Sequence, residues 1–308
     1  MSTGVTQTGG LVTELSGTGA SAEPESTGPH WWQIIWASPK ARAGTIILGI
    51  YILVALLAPV IAPYEGTRTD FEALLEPSPA HLLGTTTSGG DILSQLIWGS
   101  RVSLLVGLFG GLFATLIALL VGMVSGYFEG TWVDEGLSFL TNVALVVPIL
   151  PLIITLMAYT ETRSIWFTIF VITITSWAGA ARAKRSQIIT LRNRDYVTAA
   201  RLAGDGTFTI IFREIMPSMT SLIMAGFFGA ATGAVGAEAG LSFLGLGDTS
   251  SVSWGTMLYQ ANTQGALAQG LWIWLFVPGI VLAVLITAFT LVNFGIDLLS
   301  NPHLREDA

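Results

Sequence analysis

Six long apolar stretches constrain the fold of this 308-residue chain more than any other feature of its sequence. They cover residues 44–62, 102–122, 137–159, 165–181, 218–246 and 271–299. A helix needs roughly 20 apolar residues to cross a bilayer. Only 11% of the residues are charged, against about 25% in a soluble domain. Because lipid offers backbone groups no water, each stretch should be helical. We therefore predict an all-α membrane protein with six transmembrane helices.

Two of these stretches carry unusual residues. The third contains Pro148 and Pro151, which leave carbonyl groups that neighbouring helices must satisfy, so we expect this span inside the bundle. The fifth contains the run GFFGAATGAVGAEAG, in which small residues at four-residue spacing allow close approach of backbones. We expect the fifth span to pack centrally.

The positive residues predict the orientation of the chain, because cytoplasmic loops are enriched in Lys and Arg. If the N-terminus is cytoplasmic, only Arg68, Arg101 and Arg163 lie outside. The other ten lie inside, namely Lys40, Arg42, Arg182, Lys184, Arg185, Arg192, Arg194, Arg201, Arg213 and Arg305. We therefore expect both termini in the cytoplasm.

The same pattern divides the chain into regions. Residues 1–29 are rich in Gly, Ser and Thr and are predicted to be a disordered cytoplasmic tail. Residues 30–43 are predicted to form an amphipathic helix at the membrane interface. The alternative is that they simply lead into the first span, with their aromatic side chains in the interfacial belt. The transmembrane domain is predicted over residues 44–299, with an external loop at 63–101 and a cytoplasmic loop at 182–217. Residues 300–308 form the cytoplasmic C-terminal tail.

A charged segment, residues 195–217, lies between the fourth and fifth apolar stretches, and we call it the knob. Asp195 is a good N-cap for a first short helix, and Gly204 can adopt the left-handed conformation that ends it. Thr207 can cap a second short helix, and Pro217 suits the turn into the fifth span. Two short helices that protrude from a membrane domain indicate a surface for a partner.

The knob resembles the EAA loop of ABC importer permeases, whose pattern is Glu-Ala-Ala, three residues, Gly, and later a hydrophobic pair and Pro. The residues that carry the resemblance are Thr198, Ala199, Ala200, Gly204, Ile215, Met216 and Pro217. Thr198 stands where the family has Glu, and Met216 where it has Leu. The resemblance implies that Thr198, Ala199, Ala200, Gly204, Ile215 and Pro217 couple the permease to an ATPase.

Two further segments resemble the dipeptide permease C and oligopeptide permease C type. The first is HLLGTTTSGGDILSQLIWGSRVSLL at residues 81–105, in which Thr86, Gly90 and Gln95 replace the usual Asp, Arg and Arg. The second begins at Glu238, continues as LSFLGLG and ends in SWGTML at residues 253–258. The C-terminal Pro302, Leu304 and Arg305 echo the family's ending.

This resemblance implies a type I ABC importer permease fold in a bacterial or archaeal inner membrane. The implied partners are a second homologous permease subunit, two cytoplasmic ATPase subunits, an extracytoplasmic substrate-binding protein and the lipid bilayer. ATP and Mg would be used by the ATPases, and no cofactor is expected on this chain. The implied cargo is di- and oligopeptides. Oligosaccharides and nickel complexes remain open as cargo, and an ATPase-independent channel or secondary transporter is the alternative class.

The sequence argues against an enzyme. It has no GxxxxGK[ST] phosphate loop and no Cys, and its three His are scattered, so neither nucleotide hydrolysis nor a metal site is expected. His81 and Asp91 lie in one external loop, but no Gly-x-Ser-x-Gly turn accompanies them, so a Ser-His-Asp catalytic site is not expected. The basic cluster at residues 182–194 suits a topology determinant that attracts anionic lipid better than a nucleic-acid site.

Three polar residues inside the spans are candidates for the translocation path. Glu238 is the only acid well inside a span, where a charge costs about 3 kcal/mol, and it could contact cargo or fix helix packing. The family segment carries an acid here whatever the cargo, which favours the architectural role. Asn142 and Asn293 could line the path or bond neighbouring helices.

Overall fold

The computed structural model describes residue 36 and residues 38–160, 163–248 and 250–300, with side chains up to residue 296. Within these ranges the chain is helical, and the elements run α1 (Pro39–Ile61), α2 (Ile92–Tyr127), α3 (Trp132–Val146), α4 (Ile149–Ala158), α5 (Ile165–Leu191), α6 (Asp195–Leu202), α7 (residues 207–218), α8 (Thr220–Phe243), α9 (Trp254–Thr263) and α10 (Trp272–Ser300). The prediction of an all-α membrane protein is confirmed.

Five of the described helices, α1, α2, α5, α8 and α10, are long and apolar enough to cross a membrane. The third predicted span is instead two helices, α3 and α4, bent by 81° relative to each other. The break falls at Val147 and Pro148, where Val147 is extended (φ −69°, ψ 125°). A proline disfavours helical conformation in the residue before it, which explains the position of the break. Within the single subunit the buried residues of these two helices are Asp134, Thr141, Ile153 and Met157, and the other side chains are half-buried or exposed. The expectation that this span lies inside the bundle stays a prediction for the complete complex.

The central helix is α2, which packs against α5 and α8 through small residues. A Cβ atom at Gly111 would lie 2.8 Å from the backbone of Ala231 in α8, and one at Gly122 would lie 2.8 Å from the Ala181 carbonyl oxygen in α5. The absence of these side chains lets the helices approach backbone to backbone. We call the end of α2 at Ile92, where residues 63–91 fold over it, the loop end, and the end at Tyr127 the knob end.

The small residues of α8 divide between two faces. Ala231, Ala234 and Ala239 are buried against the rest of the chain. The glycines at 229, 233, 236 and 240 have open space where a Cβ would stand. The predicted close packing of this helix is therefore made by its alanines, and its glycine face is uncovered in the single subunit.

Several predicted regions lie outside the described residues. These are the N-terminal tail, half of the predicted interfacial helix at 30–43, and residues 301–308 of the C-terminal tail. Of the predicted interfacial helix, residues 39–43 form the beginning of α1, which is capped by the Ser38 hydroxyl accepting from the Ala41 amide at 3.4 Å.

Candidate functional site

The knob consists of two short helices, as predicted, with starts displaced by one residue. Helix α6 has Arg194 at its N-cap, so Asp195 is its first residue, where its negative charge faces the positive end of the helix dipole. Helix α7 likewise has Gly206 at its N-cap and begins at Thr207. Between them Gly204 has φ +89°, the left-handed conformation predicted for it. The capping roles predicted for Asp195 and Thr207 are therefore wrong, and the role of Gly204 is confirmed.

Helix α7 contains a wider turn. It starts as an α-helical turn at Thr207–Thr209, continues as a π-helix at Ile210–Ile215 and ends as another α-helical turn at Met216–Ser218. Segments of π-helix are rare and are frequent at functional sites. The extra residue in this turn changes which side chains of α7 face the membrane domain.

The knob is rooted in an apolar cluster at the knob end of α2. Val197, Ile210 and Ile215 are buried, with exposures of 0%, 1% and 0%. They pack with Met123 of α2 and Ile188 of α5. Ile215 was predicted as a coupling residue, and its burial means that it supports the knob from within and does not present a side chain to a partner.

The opposite face of the knob is exposed. Thr198, Ala199 and Gly204, three of the predicted coupling residues, lie on it, as does Pro217, whereas Ala200 is half-buried against the apolar cluster. Two large apolar side chains also project from this face, Leu202 with 85% exposure and Phe208 with 79%. We call Leu202, Phe208 and Phe212, whose ring stacks on that of Phe208, the apolar tip.

Sequence reasoning missed the apolar tip. The available signal was the position of Leu202 and Phe208 on either side of the glycines at 204 and 206, in a segment that is otherwise polar and without the long apolar run of a span. Exposed apolar patches on a protein that is already embedded in lipid by other segments mark interaction sites.

Two arginines tie the knob to the turn between α2 and α3. Arg192 donates to the Tyr127 carbonyl oxygen at 2.8 Å and to the Glu129 carboxylate at 2.6 Å. The guanidinium of Arg201 lies 5.6 Å from the centre of the Tyr127 ring. The chain before the knob and the first knob helix are thus both attached to the end of α2.

An ion pair between a half-buried arginine and a buried carboxylate continues this attachment into α3. Arg185 of α5 makes two hydrogen bonds to the carboxylate of Asp134, from Nε at 2.8 Å and from Nη2 at 2.7 Å. The same carboxylate accepts from Ser125 of α2 at 2.6 Å, from Ser138 of α3 at 3.0 Å and from the Gly130 amide at 3.1 Å. We call these groups the Asp134 network. It joins three helices at the knob end.

At the loop end, the pair of His81 and Asp91 has a structural role. Asp91 is the N-cap of α2, and its Oδ2 accepts from the Ser94 amide at 2.8 Å and the Ser94 hydroxyl at 2.6 Å. Its Oδ1 lies 2.9 Å from His81 Nδ1. Both side chains are buried, and their hydrogen bonds join the loop at residues 63–91 to the first turn of α2. The arrangement is that of a helix cap.

The three departures from the family segment lie together at this end. Thr86 Oγ1 accepts from the Gly90 amide at 2.9 Å. A Cβ atom at Gly90 would collide with the side-chain amide of Gln95. The family's charged Asp, Arg and Arg are thus replaced by three neutral residues in mutual contact, and Gln95 takes up the space that Gly90 leaves.

The segment from Glu238 to Leu258 also packs at the loop end. Trp254 is buried, and its indole donates to the Leu96 carbonyl oxygen of α2 at 2.9 Å. Ser253 and Thr256 form a capping box at the start of α9. Glu238 accepts from the Ser242 hydroxyl at 2.7 Å, and both border a narrow cavity that Ser253 also lines. The second carboxylate oxygen of Glu238 is also buried, and the architectural role of this residue stays a prediction.

The three path candidates do not come together in the described part of the chain. Asn142 accepts from Arg182 at 2.6 Å and thereby joins α3 to α5 near the knob end. Glu238 lies in the cavity at the loop end. Asn293 lies in α10, and its buried Oδ1 has no hydrogen-bond partner among the residues that the structure describes.

Two family models match this chain. Residues 118–306 match the family described as binding-protein-dependent transport system inner membrane component. Residues 30–77 match the N-terminal transmembrane domain of oligopeptide transport permease C.

Individual relatives match over most of their length. The dipeptide transport system permease protein DppC of Haemophilus influenzae is 30% identical over 95% of this chain and 100% of the relative. The DppC protein of Bacillus subtilis is 31% identical over 89% of this chain and 85% of the relative. The oligopeptide transport system permease protein OppC of Bacillus subtilis is 32% identical over 86% of each chain. With its apolar helices, its rooted knob and these matches, the chain belongs to the binding-protein-dependent transport permeases of the inner membrane, in the branch of the dipeptide and oligopeptide permeases.

Proposed function

We propose that this chain is the permease subunit of an ATP-driven peptide importer and that an ATPase subunit docks on the exposed face of its knob. The observation that carries the proposal is the division of the knob into a buried root and an exposed apolar tip. A segment that had to be stable alone would bury Leu202 and Phe208, whereas a docking surface needs a few large apolar anchors in the open.

The other subunits of the importer follow from this assignment. A second homologous permease subunit would complete the translocation path, and two ATPase subunits would bind and hydrolyse ATP with Mg in the cytoplasm. An extracytoplasmic binding protein would deliver cargo at the loop end, with both termini and the knob in the cytoplasm. This chain itself would bind no cofactor and perform no catalysis.

Peptides are the proposed cargo because the three relatives described above are named for dipeptide or oligopeptide transport. Nothing in the described residues forms a ring of fixed charge along a path, so we expect the binding protein to select the cargo. No observation favours sugars, nickel complexes or an ATPase-independent mechanism.

The test is to replace the apolar anchors of the knob and measure retention of the ATPases. Leu202→Glu and Phe208→Glu place a charge on the exposed tip without touching the buried root. In the complete complex, each should weaken binding of the ATPase subunits by about 2 kcal/mol or more, as expected for an interface hot spot, and reduce peptide uptake accordingly. Co-purification of the ATPases and uptake into proteoliposomes are the measurements.

Leu267→Glu is the matched control, because Leu267 is 61% exposed but lies at the loop end. It should retain the ATPases at the wild-type level. Full retention of the ATPases by both knob variants would show that they dock elsewhere.

A further inference from the structure

Helix α3 is attached to α2 and α5 by the polar side chains of Asp134 and Asn142 and by the packing of Ala144 in a small apolar cluster. Asp134 and Thr141 are its two buried residues, and the rest of its length is half-buried or exposed. Of these two, Asp134 carries the contacts to other helices, through Arg185 and Ser125. An arginine that binds a carboxylate through two parallel hydrogen bonds fixes orientation as well as distance. The Asp134 network therefore sets the position of α3 relative to α2 and α5.

The helices that this network holds are the ones that carry the knob. Arg185 lies two turns before the end of α5, and the knob follows that end directly. Ile188, on the same stretch of α5, belongs to the apolar cluster that contains Val197 and Ile215 of the knob. The knob, the end of α5 and the beginning of α3 are thus parts of one continuous packed unit.

Helix α4 belongs to a different unit. Its buried residues Ile153 and Met157 pack with Val171 of α5 and Leu241 of α8, toward the loop end. Between α3 and α4 the helical hydrogen bonding is interrupted, because Pro148 has no amide hydrogen and Val147 is extended. The two halves of the third span are therefore held by different parts of the molecule and joined by two residues.

We propose that Asp134 and Arg185 are positioning residues that transmit movement of the knob to α3, and that α3 swings relative to α4 about residues 147–148. This inference rests on the proposed function, in which an ATPase moves the knob. The Arg185–Asp134 pair is the one contact of α3 that fixes both distance and orientation, so a knob that moves without it moves α3 much less, through the Arg182–Asn142 hydrogen bond and the packing of Ala144 alone. Hinges of this kind are a few element-terminal residues that absorb a change in φ and ψ.

The test follows the angle between the two half-helices in the complete transporter. The chain has no natural Cys, so spin labels at Trp132→Cys and Tyr159→Cys report on the far ends of α3 and α4 alone. Both positions are strongly exposed, at 82% and 88%. The distance between the labels should change when a non-hydrolysable ATP analogue binds. In Asp134→Asn this change should be lost, while the ATPases remain bound and hydrolyse ATP.

Transport gives an independent readout. In Asp134→Asn the peptide imported per ATP hydrolysed should fall about tenfold, within the range of coupling between sites. Arg185→Lys, which keeps the charge but not the paired geometry, should fall between Asp134→Asn and wild type. Glu135→Gln is the matched control: Glu135 is the exposed neighbour of Asp134 and should behave as wild type.

If Asp134→Asn does not assemble, the double variant Ser125→Ala, Ser138→Ala weakens the same network by removing two donors, and the same losses are expected in smaller measure. A label distance that changes as in wild type, or an unchanged import per ATP, in an assembled variant would overturn the inference. That outcome is distinct from failure of the docking proposal, in which Leu202→Glu and Phe208→Glu would leave the ATPases bound.

Discussion

The two ends of α2 are held by different chemistry. At the loop end, Trp254, His81 and Asp91 are buried, and their polar groups bond to the helix start or its backbone. At the knob end, arginines bind carboxylates and a carbonyl, and large apolar side chains stand in the open. These polar groups at the loop end are thus satisfied within the chain, whereas the knob end combines partly exposed ion pairs with the exposed apolar tip.

The contacts at the loop end are those of a region that keeps one shape. The contacts at the knob end are those of a region that can exchange partners. At the loop end the hydrogen-bonded groups are buried, so breaking a bond would leave a polar group unpaired and away from water, which is costly. At the knob end the side chains of Arg185 and Glu129 are 32% and 36% exposed, so water can replace a lost partner. The loop end is therefore suited to move as one rigid unit and the knob end to act as a joint.

The largest expected difference between the two ends of α2 is that they lie in different compartments. Single Cys residues at Ser88 and Asn262, both exposed at the loop end, should react with a membrane-impermeant maleimide in intact cells. A Cys at Asp205 in the knob should react only after permeabilisation. The positive residues predict this all-or-none contrast.

Asn262 is a better second site than Gln264, because Gln264 is partly buried and hydrogen-bonded to Thr87. Labelling at position 205 from outside would reverse the orientation proposed for the whole chain.

A second prediction concerns the rigidity of the loop end. Trp254→Ala removes a fully buried ring and its bond to the Leu96 carbonyl, and should lower the free energy of unfolding by about 4 kcal/mol. Trp272→Ala is the control, since Trp272 is 55% exposed. Unfolding in detergent, followed by circular dichroism, measures both. An equal effect of the two variants would mean that Trp254 does not anchor α9 to α2.

The smallest expected effect lies in the knob. Gly204→Ala forces a side chain into the left-handed region, at φ +89°, although no atom lies within 4 Å of the added Cβ. The strain costs about 1 kcal/mol. We expect the free knob to relieve it by changing the turn, and docking to restore the turn, so binding of the ATPases should weaken about fivefold. Gly206→Ala is the control, because Gly206 has φ −71° and equally open space. Titration of the ATPases onto the permease would show the difference, and equal affinities for the two variants would remove backbone strain from the account of docking.

Much of this architecture could be predicted from the sequence because it depends on local pattern. The apolar stretches are local, so five of the six spans are found as continuous helices near their predicted positions. The left-handed turn at Gly204 is also local, since few other residues adopt it. The segments that resemble the permease family correspond to the knob and to the loop end, so the sequence also indicated these two regions.

The errors arise where one local preference competes with another. Pro148 could have been tolerated within a bent span, but the extended residue before it divides the span in two. In α8, alanines and glycines share the same composition, and the sequence does not tell which face is buried. Arg185 and Asp134 lie 51 positions apart, so their pairing depends on how α3 and α5 pack.

The length of α2 has a mechanical consequence. Its 36 residues extend about 54 Å, well beyond the roughly 30 Å of a hydrocarbon core. Near its middle, Gly111 lies against the backbone of Ala231, where a close contact can serve as a fulcrum. For a rod of this length, a tilt of about 5° displaces one tip relative to the other by about 5 Å. A small displacement at the knob end would thus shift the loop end, because both are tips of one continuous helix.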